Sequence, residues 1–396
     1  MRISERALNI QASPIRKLVP LANAAKAAGK HVYHLNIGQP DIETPPEMMA
    51  VYKNFEEKVL AYGPSQGLEF YRKNLVNYYK HNRIELTADE IIVTTAGSEA
   101  CFFALLATCN PGDEVIIPEP FYTNYNGFAT WAGVNIIPLT TYVEEGFALP
   151  DSLQIEKLVT SRTRAIMLCN PGNPTGAVYS AEELGRVAQI ALKKDLFVIS
   201  DEVYREFVYD DEKHTSIMEF PEIRDRAIMV DSISKRYSAC GARIGCIVTH
   251  NQEVLNALLK FAQARLCPPT LEQYAANAAI ALTDEYFDQN INEYNKRRKT
   301  VFAELQKIEN VVCKLPQGAF YIIAKLPLQN AEDFVKWLLT DYSLDNETVM
   351  VAPAAGFYAT EGLGLDEVRI AYILNEVDLK KAMNIFRSGL KEYLEK

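Results

Sequence analysis

The chain lacks the marks of several protein classes. It has no Cys-x-x-Cys pair and no Cys/His cluster at zinc-site spacing, so no metal is expected. Its seven cysteines, Cys101, Cys109, Cys169, Cys240, Cys246, Cys267 and Cys313, are odd in number. They read as buried thiols in a reducing cytosol rather than as a disulfide framework. No stretch approaches the roughly 18 uncharged apolar residues of a membrane span. The N-terminal MRISERALNIQASPIRKL contains no unbroken apolar core of a secretory leader. A cytoplasmic protein with no membrane partner is expected. Lys and Arg are not in excess: the formal net charge is -10 over 396 residues. That argues against nucleic acid as a partner, because phosphate backbones are bound by clustered Lys and Arg. A small anionic ligand needs only a local positive site and stays open. Internal repeats and low-complexity tracts are also absent.

What remains is an ordinary globular composition with room for two or three domains. Runs rich in Val and Ile at Ile91–Thr95, Glu114–Ile117, Val134–Pro138, Ala165–Cys169, Leu196–Ser200, Ala227–Asp231 and Ile244–Thr249 read as strands. Several are apolar almost throughout, which fits a sheet covered on both faces. Helical spacing lies between them, as at Ala100–Ala107 and Ala181–Lys193, the latter opened by Ser180 and Glu183 in a capping box. This alternation marks an α/β domain with a mostly parallel seven-stranded sheet flanked by helices.

Beyond about residue 250 helical patterns dominate to Leu305, and the charged run Asn292–Thr300 reads as a solvated helix face. Two strand-like stretches follow, Gly318–Ala324 and Val368–Ile373, separated by a helical pattern at Asn330–Leu339. In the last helix, Glu376–Leu394, a stripe of Leu379, Met383, Phe386 and Leu390 reads as packing. The expected division is a large domain over 49–290 and a smaller α+β domain over 291–396. Residues 1–48 are expected to pack beside the smaller domain and cover the site.

Four segments carry candidate chemistry. D-S-I-S-K at 231–235 follows a strand and sets Lys235 among small hydroxyl residues, and lysine amines form Schiff bases with carbonyl cofactors. Eight residues on, G-A-R-I-G offers Arg243 as a fork for phosphate or carboxylate, between Gly241 and Gly245, which suit close backbone approach. T-A-G-S-E-A at 95–100 lies between a strand and a helix, where free N–H groups and the helix dipole favour an anion; capping by Ser98 is the plain alternative. N-P-G-N-P-T-G at 170–176 and S-D-E-V-Y at 200–204 both end strands, placing Asn173 and Asp201 where open sheets bind ligands.

In this order, from Asn36 to Arg369, these motifs resemble the fold-type I enzymes that use pyridoxal 5'-phosphate (PLP), in the class I/II aminotransferase family near the aspartate aminotransferases. The resemblance implies that Lys235 is the Schiff base lysine and proton shuttle, and that Asp201 pairs with the pyridine nitrogen. It implies that Asn173 and Tyr204 partner the cofactor 3'-oxygen and that Tyr122 stacks on the ring. Gly97, Ser98 and Glu99 would supply backbone donors to the phosphate, and Ser232, Ser234 and Arg243 side chains around it. Tyr62, in A-Y-G-P-S-Q-G, would reach the phosphate of the neighbouring subunit in a homodimer with shared sites. Arg369 would grip the substrate α-carboxylate with support from Asn173, and Gly38 would border the substrate.

One departure concerns V-A-P-A-A-G-F at 351–357, where Ala354 stands in place of a frequent glycine and puts the local turn in question. No cation for a substrate side chain is assigned; Arg16, Lys17 and Lys30 are candidates from the N-terminal region. The reading is ping-pong transfer of an amino group from an L-amino acid to a 2-oxo acid, with aspartate and 2-oxoglutarate leading. Aromatic or broad specificity, and a carbon–sulfur β-lyase on the same scaffold, are the alternatives. A ligand-sensing regulator is disfavoured by the negative charge.

Overall fold

The structure is a computed structural model and describes residues 2–396. Its strands are β1 (His31–His34), β2 (Ile91–Thr94), β3 (Glu114–Glu119), β4 (Asn135–Thr140), β5 (Thr163–Cys169), β6 (Phe197–Asp201), β7 (Ala227–Ser232), β8 (Gly245–Thr249), β9 (Tyr321–Lys325), β10 (Glu347–Met350), β11 (Ala352–Pro353) and β12 (Glu367–Ala371). The seven Val- and Ile-rich runs form one sheet in the order β2-β8-β7-β6-β5-β3-β4. Only β8 runs against the others. Strands β2, β3, β7 and β8 are buried at every residue, because helices cover both faces. One of these helices, Ala96–Thr108, is apolar nearly all round and packs against β7 and β8.

Helix Ala181–Lys194 starts where its capping box predicts: Ser180 Oγ accepts from Glu183 N, and Glu183 Oε2 accepts from Ser180 N at 2.8 Å. In the C-terminal third, β11-β12-β9 form an antiparallel sheet, covered by helices Ala331–Thr340 and Glu376–Leu394. Leu379, Met383, Phe386 and Leu390 are fully buried there, as the stripe implies. A two-stranded parallel pair, β1 with β10, ties the N-terminal region to this layer.

Two sequence readings need correction. The charged run in helix Asp284–Leu305 is not simply a solvated face: Arg297 and Arg298 are buried. Arg297 pairs with Asp41 and Glu293, and Arg298 with Asp210, carboxylates at the surface that meet the two buried guanidinium groups from outside. The two glycines around Arg243 also differ. A Cβ on Gly241 would meet nothing within 4 Å, whereas one on Gly245 would lie 2.6 Å from Ala96 C and Asp231 O and 2.7 Å from Gly97 N. Ala354 has an ordinary helical backbone (φ -90°, ψ -12°), so the missing glycine strains nothing.

The strand ends gather the motifs. Register sets Gly245 opposite both Thr94 and Ser232, and Cys169 opposite Asp201. The residues after β2, β5, β6 and β7 therefore emerge along one edge of the sheet. Backbone crowding at Gly245 joins two of them. Gly245→Ala is expected to cost about 1–3 kcal/mol in stability, while Gly241→Ala changes little; chemical denaturation of the two variants checks this, and equal effects would refute the crowding.

Candidate active site

A cavity of about 590 Å³ opens at this edge. One end is built by the sheet. Thr94 Oγ1 donates to Ala96 O, and Ala96 takes a left-handed φ of 60° as the chain turns into its helix. Gly97 and Ser98 in the first turn line the cavity, where amide N–H groups have no intrahelical acceptor. Ser98 lies inside the helix and is not its cap. Glu99 turns away: its carboxylate accepts from Thr95 N at 2.8 Å and pairs with Arg265 at 3.4 Å. Opposite, Ser232 Oγ lies 2.9 Å from both Ser234 Oγ and Ile244 O. Arg243, at φ 55°, donates to Cys240 O and borders the same space.

Lys235 sits in the short helix Ile233–Arg236 and donates from Nζ to Gly38 O at 2.7 Å, with Cys240 Sγ at 3.5 Å. Its neighbour Arg236 points the other way, into a buried pairing with Asp231 and Glu206. Asp201 ends β6 and is 6% exposed. Its Oδ2 accepts from Tyr125 OH at 2.8 Å and from Cys101 Sγ at 3.7 Å, and its Oδ1 from Val203 N at 3.3 Å. Burial outweighs these donors and raises its carboxyl to about 6. Tyr204 OH lies 2.8 Å from Tyr321 OH, and Asn173 Nδ2 donates to it at 3.5 Å. Burial, then the charge of Tyr321, holds the Tyr204 phenol well above its usual range, so it is a neutral donor.

The other end is built from the small sheet and the N-terminal segment. Arg369 on β12 is 1% exposed. Its Nη1 donates to Asn173 Oδ1 at 3.0 Å and its Nη2 to Asn36 O, while Nε has no partner. Tyr321 and Phe357 flank the guanidinium at 4.5 and 4.8 Å. No carboxylate pairs with it among the described residues. A Cβ on Gly38 would fall 1.7 Å from Tyr321 Oη, so only glycine fits there. Tyr122 lines the wall between, its hydroxyl accepting from Asn124 Nδ2 at 2.8 Å.

Of the residues singled out from sequence, the structure brings Gly38, Gly97, Ser98, Tyr122, Asn173, Asp201, Tyr204, Ser232, Ser234, Lys235, Arg243 and Arg369 to this one cavity. Glu99 contributes no side chain to it, and Tyr62 stands 82% exposed on a loop away from it. Sequence reasoning missed Tyr125, Cys101, Tyr321, Asn36 and Phe357. Asn36 opens the matched span and Phe357 ends V-A-P-A-A-G-F, but none of the five stood out there, because each acts through a contact made only in the fold. No cluster of three or more His, Cys, Asp or Glu suited to a metal occurs among the described residues, and no helix there is long and apolar enough to cross a membrane.

Comparison with known proteins agrees with this architecture. The family model for aminotransferase class I and II matches residues 30–386. An aspartate aminotransferase of Pyrococcus abyssi is 34% identical, with 99% of each chain covered. An aromatic-amino-acid aminotransferase of Thermococcus litoralis is 33% identical, again over 99% of each. Among solved structures, an alanine aminotransferase from Pyrococcus furiosus superposes with a TM-score of 0.91 at 33% identity, covering 99% of this chain and 100% of that one. With more than half of its length matched by the family model, the chain belongs to the class I and II aminotransferases and has their fold-type I architecture.

Proposed function

We propose that this aminotransferase uses PLP to move the amino group of an L-amino acid to a 2-oxo acid by a ping-pong mechanism, with aspartate and 2-oxoglutarate as the leading pair. The observation that carries the reading is that an amine (Lys235), a buried carboxylate (Asp201) and a buried guanidinium without a carboxylate partner (Arg369) all reach one cavity. The cavity fits the cofactor. Asp201 is a buried acid whose charge is disfavoured until a cation faces it, and a protonated pyridine is such a cation. Tyr204 and Asn173 offer donors to a ring oxygen, and the Gly97–Ser98 turn with Ser232, Ser234 and Arg243 offers donors to a phosphate.

When bound, PLP supplies a sink for the electron pair left at the substrate Cα. In this reading Lys235 Nζ is its covalent anchor and the base placed to take and return the Cα proton. Asp201 keeps a proton on the ring nitrogen. Tyr122 covers the ring, and the backbone N–H of Glu99 joins those of Gly97 and Ser98. Arg369 binds the substrate α-carboxylate with Asn173, which it already contacts. Gly38 borders the substrate, and the segment around it excludes water. We take 49–290 as the cofactor-binding domain, with 1–48 and 291–396 completing the substrate end. A homodimer follows the same reading: Tyr62, exposed beside exposed Val59 and Leu60, would reach the neighbour's phosphate site.

The half-reaction tests this. Amino acid added to holoenzyme without a 2-oxo acid is expected to change the visible absorption of the cofactor, and 2-oxoglutarate to restore it; Lys235→Ala is expected to abolish the 2-oxo acid product of the first step and the restoration by 2-oxoglutarate. No spectral response to any amino acid, or repeated turnover of cystathionine to pyruvate with no 2-oxo acid present, would overturn transamination.

A second prediction concerns Asp201. Its folded carboxyl, near 6, lies above the usual 3.8. The cost of its charge is therefore full above pH 6 and vanishes below the unfolded value, reaching about 3 kcal/mol at most. Cofactor-free Asp201→Asn is expected to melt above the cofactor-free parent at pH 8, with the margin closing toward pH 4. PLP is expected to raise the parent's Tm more than the variant's. A margin that does not change with pH would contradict the assignment.

A further inference from the structure

Glu119 ends β3 as Asp201 ends β6, and both carboxylates are buried. Asp201 lines the cavity and has a task in the reading above, on which the inference here rests. Glu119 does not line it. Of P-E-P-F-Y at 118–122, that reading uses only Tyr122.

Every donor to the Glu119 side chain is neutral. Its Oε1 accepts from Thr140 Oγ1 at 2.8 Å, on the neighbouring strand β4. Its Oε2 accepts from Ala359 N at 2.7 Å and from Thr360 N at 3.0 Å. Those two amides lie on the connection between β11 and β12 of the small sheet. A carboxylate shut from water without a cation is costly unless it is well hydrogen-bonded, and an apolar side chain would fill the space without that cost. What the charge adds is grip, because hydrogen bonds to an ionised acceptor are about twice as strong as neutral ones.

The grip falls on the wall of the substrate end. Two residues before Ala359 stands Phe357, whose ring lies 4.8 Å from the Arg369 guanidinium. Phe357 O accepts from Phe121 N at 2.9 Å, so the segment Glu119–Tyr122 holds this turn on both sides of Tyr358. Tyr358 donates to Glu367 Oε2 at 2.7 Å, two residues from Arg369 on β12. The connection thus starts at β11, where Ala352 stands opposite Arg369, and returns to Arg369 along β12. Residues 359–362 are exposed, and the bonds to Glu119 tie them to the large sheet.

We propose that Glu119 is a positioning residue for the α-carboxylate site: it fixes the turn that carries Phe357 and so keeps the Arg369 guanidinium confined between Phe357 and Tyr321. With one ring released, the guanidinium gains room, and carboxylate affinity falls about fivefold, the worth of one cation–π contact. The phosphate end is unaffected, because Gly97, Ser232, Ser234 and Arg243 are placed by β2, β7 and β8.

The test uses holoenzyme. Glu119→Met fills the same space without accepting a hydrogen bond, and the freed amides lie on exposed residues that water reaches, so folding is preserved. Glu119→Gln can still accept from both amides through its oxygen. Thr140→Val removes a bond to the same carboxylate but leaves Ala359 and Thr360 held. In Glu119→Met, KM for the amino donor and the calorimetric Kd for butyrate are expected to rise about fivefold, while kcat and the affinity for PLP change by less than about twofold. Glu119→Gln is expected to recover most of the loss, and Thr140→Val to leave both constants in place. Unchanged KM and butyrate affinity in Glu119→Met would reduce Glu119 to a scaffold residue, and a parallel loss of kcat and PLP affinity would mean general damage; either outcome overturns the proposal. Failure of the aminotransferase reading is distinguishable, because the parent itself would then give no spectral response to any amino acid.

Discussion

A carboxylate that must carry charge while shut away from water constrains whatever surrounds it. Asp201 is in that position at the end of β6. Water is replaced by the Tyr125 hydroxyl, the Cys101 thiol and the Val203 amide, each from a different element. These donors do not offset the cost of burial, so the carboxyl stays near 6. Such an arrangement is useful only if a cation completes it. The helix Ala96–Thr108, which brings Cys101, also presents Gly97 and Ser98 to the cavity. The Cys101 partner of Asp201 and the turn at Gly97 and Ser98 are therefore fixed by one rigid body, resting on β7 and β8.

Behind the cavity, a buried ionic cluster registers the other groups against Asp201. Segment 201–206 carries Asp201, Glu202, Tyr204, Arg205 and Glu206, and segment 231–236 carries Asp231, Lys235 and Arg236. Arg236 bridges the two through Glu206 and Asp231, Arg205 holds Glu202, and Tyr79 donates to Asp231 at 2.7 Å. Buried ion pairs contribute little net stability against apolar replacements, since desolvation offsets the attraction. Their geometry is demanding, though, and here it spans the segment holding Tyr204 and the one holding Lys235. The alternation of outward Lys235 and inward Arg236 lets one short helix serve chemistry on one side and alignment on the other.

This explains which parts were legible in sequence. The seven central strands were readable because a sheet covered on both faces leaves continuous Val and Ile runs. The turn at Gly97 and Ser98, Lys235 and Asp201 could be singled out because backbone geometry at strand ends confines them to short motifs; Arg369, inside β12, was named only through the family resemblance. Strands β1, β10 and β11 were not: four, four and two residues long, they depend on partners far along the chain. Arg297 and Arg298 looked solvated because a charge shows in sequence and the packing that buries its side chain does not. Gly241 and Gly245 looked alike because crowding is a property of the neighbouring strands. Tyr125 and Tyr321 lie outside the quoted motifs, and their contacts with Asp201 and Tyr204 exist only in the fold.

The two ends of the cavity are therefore different kinds of construction. The end holding Gly97, Ser232 and Arg243 is made of backbone, small hydroxyl residues and strand register, so changes there disturb the central sheet. The end holding Arg369 is made of side chains from β12, β9 and the segment Ser13–Gly38, braced by a few hydrogen bonds and ring contacts. Substitution at its rim leaves the central sheet untouched. Relatives of similar identity bear the names aspartate, alanine and aromatic-amino-acid aminotransferase, as expected if specificity resides at this separable end. A fold match near 0.9 over the whole chain covers both ends alike, so differences between such relatives have to be sought in individual side chains and not in the path of the backbone.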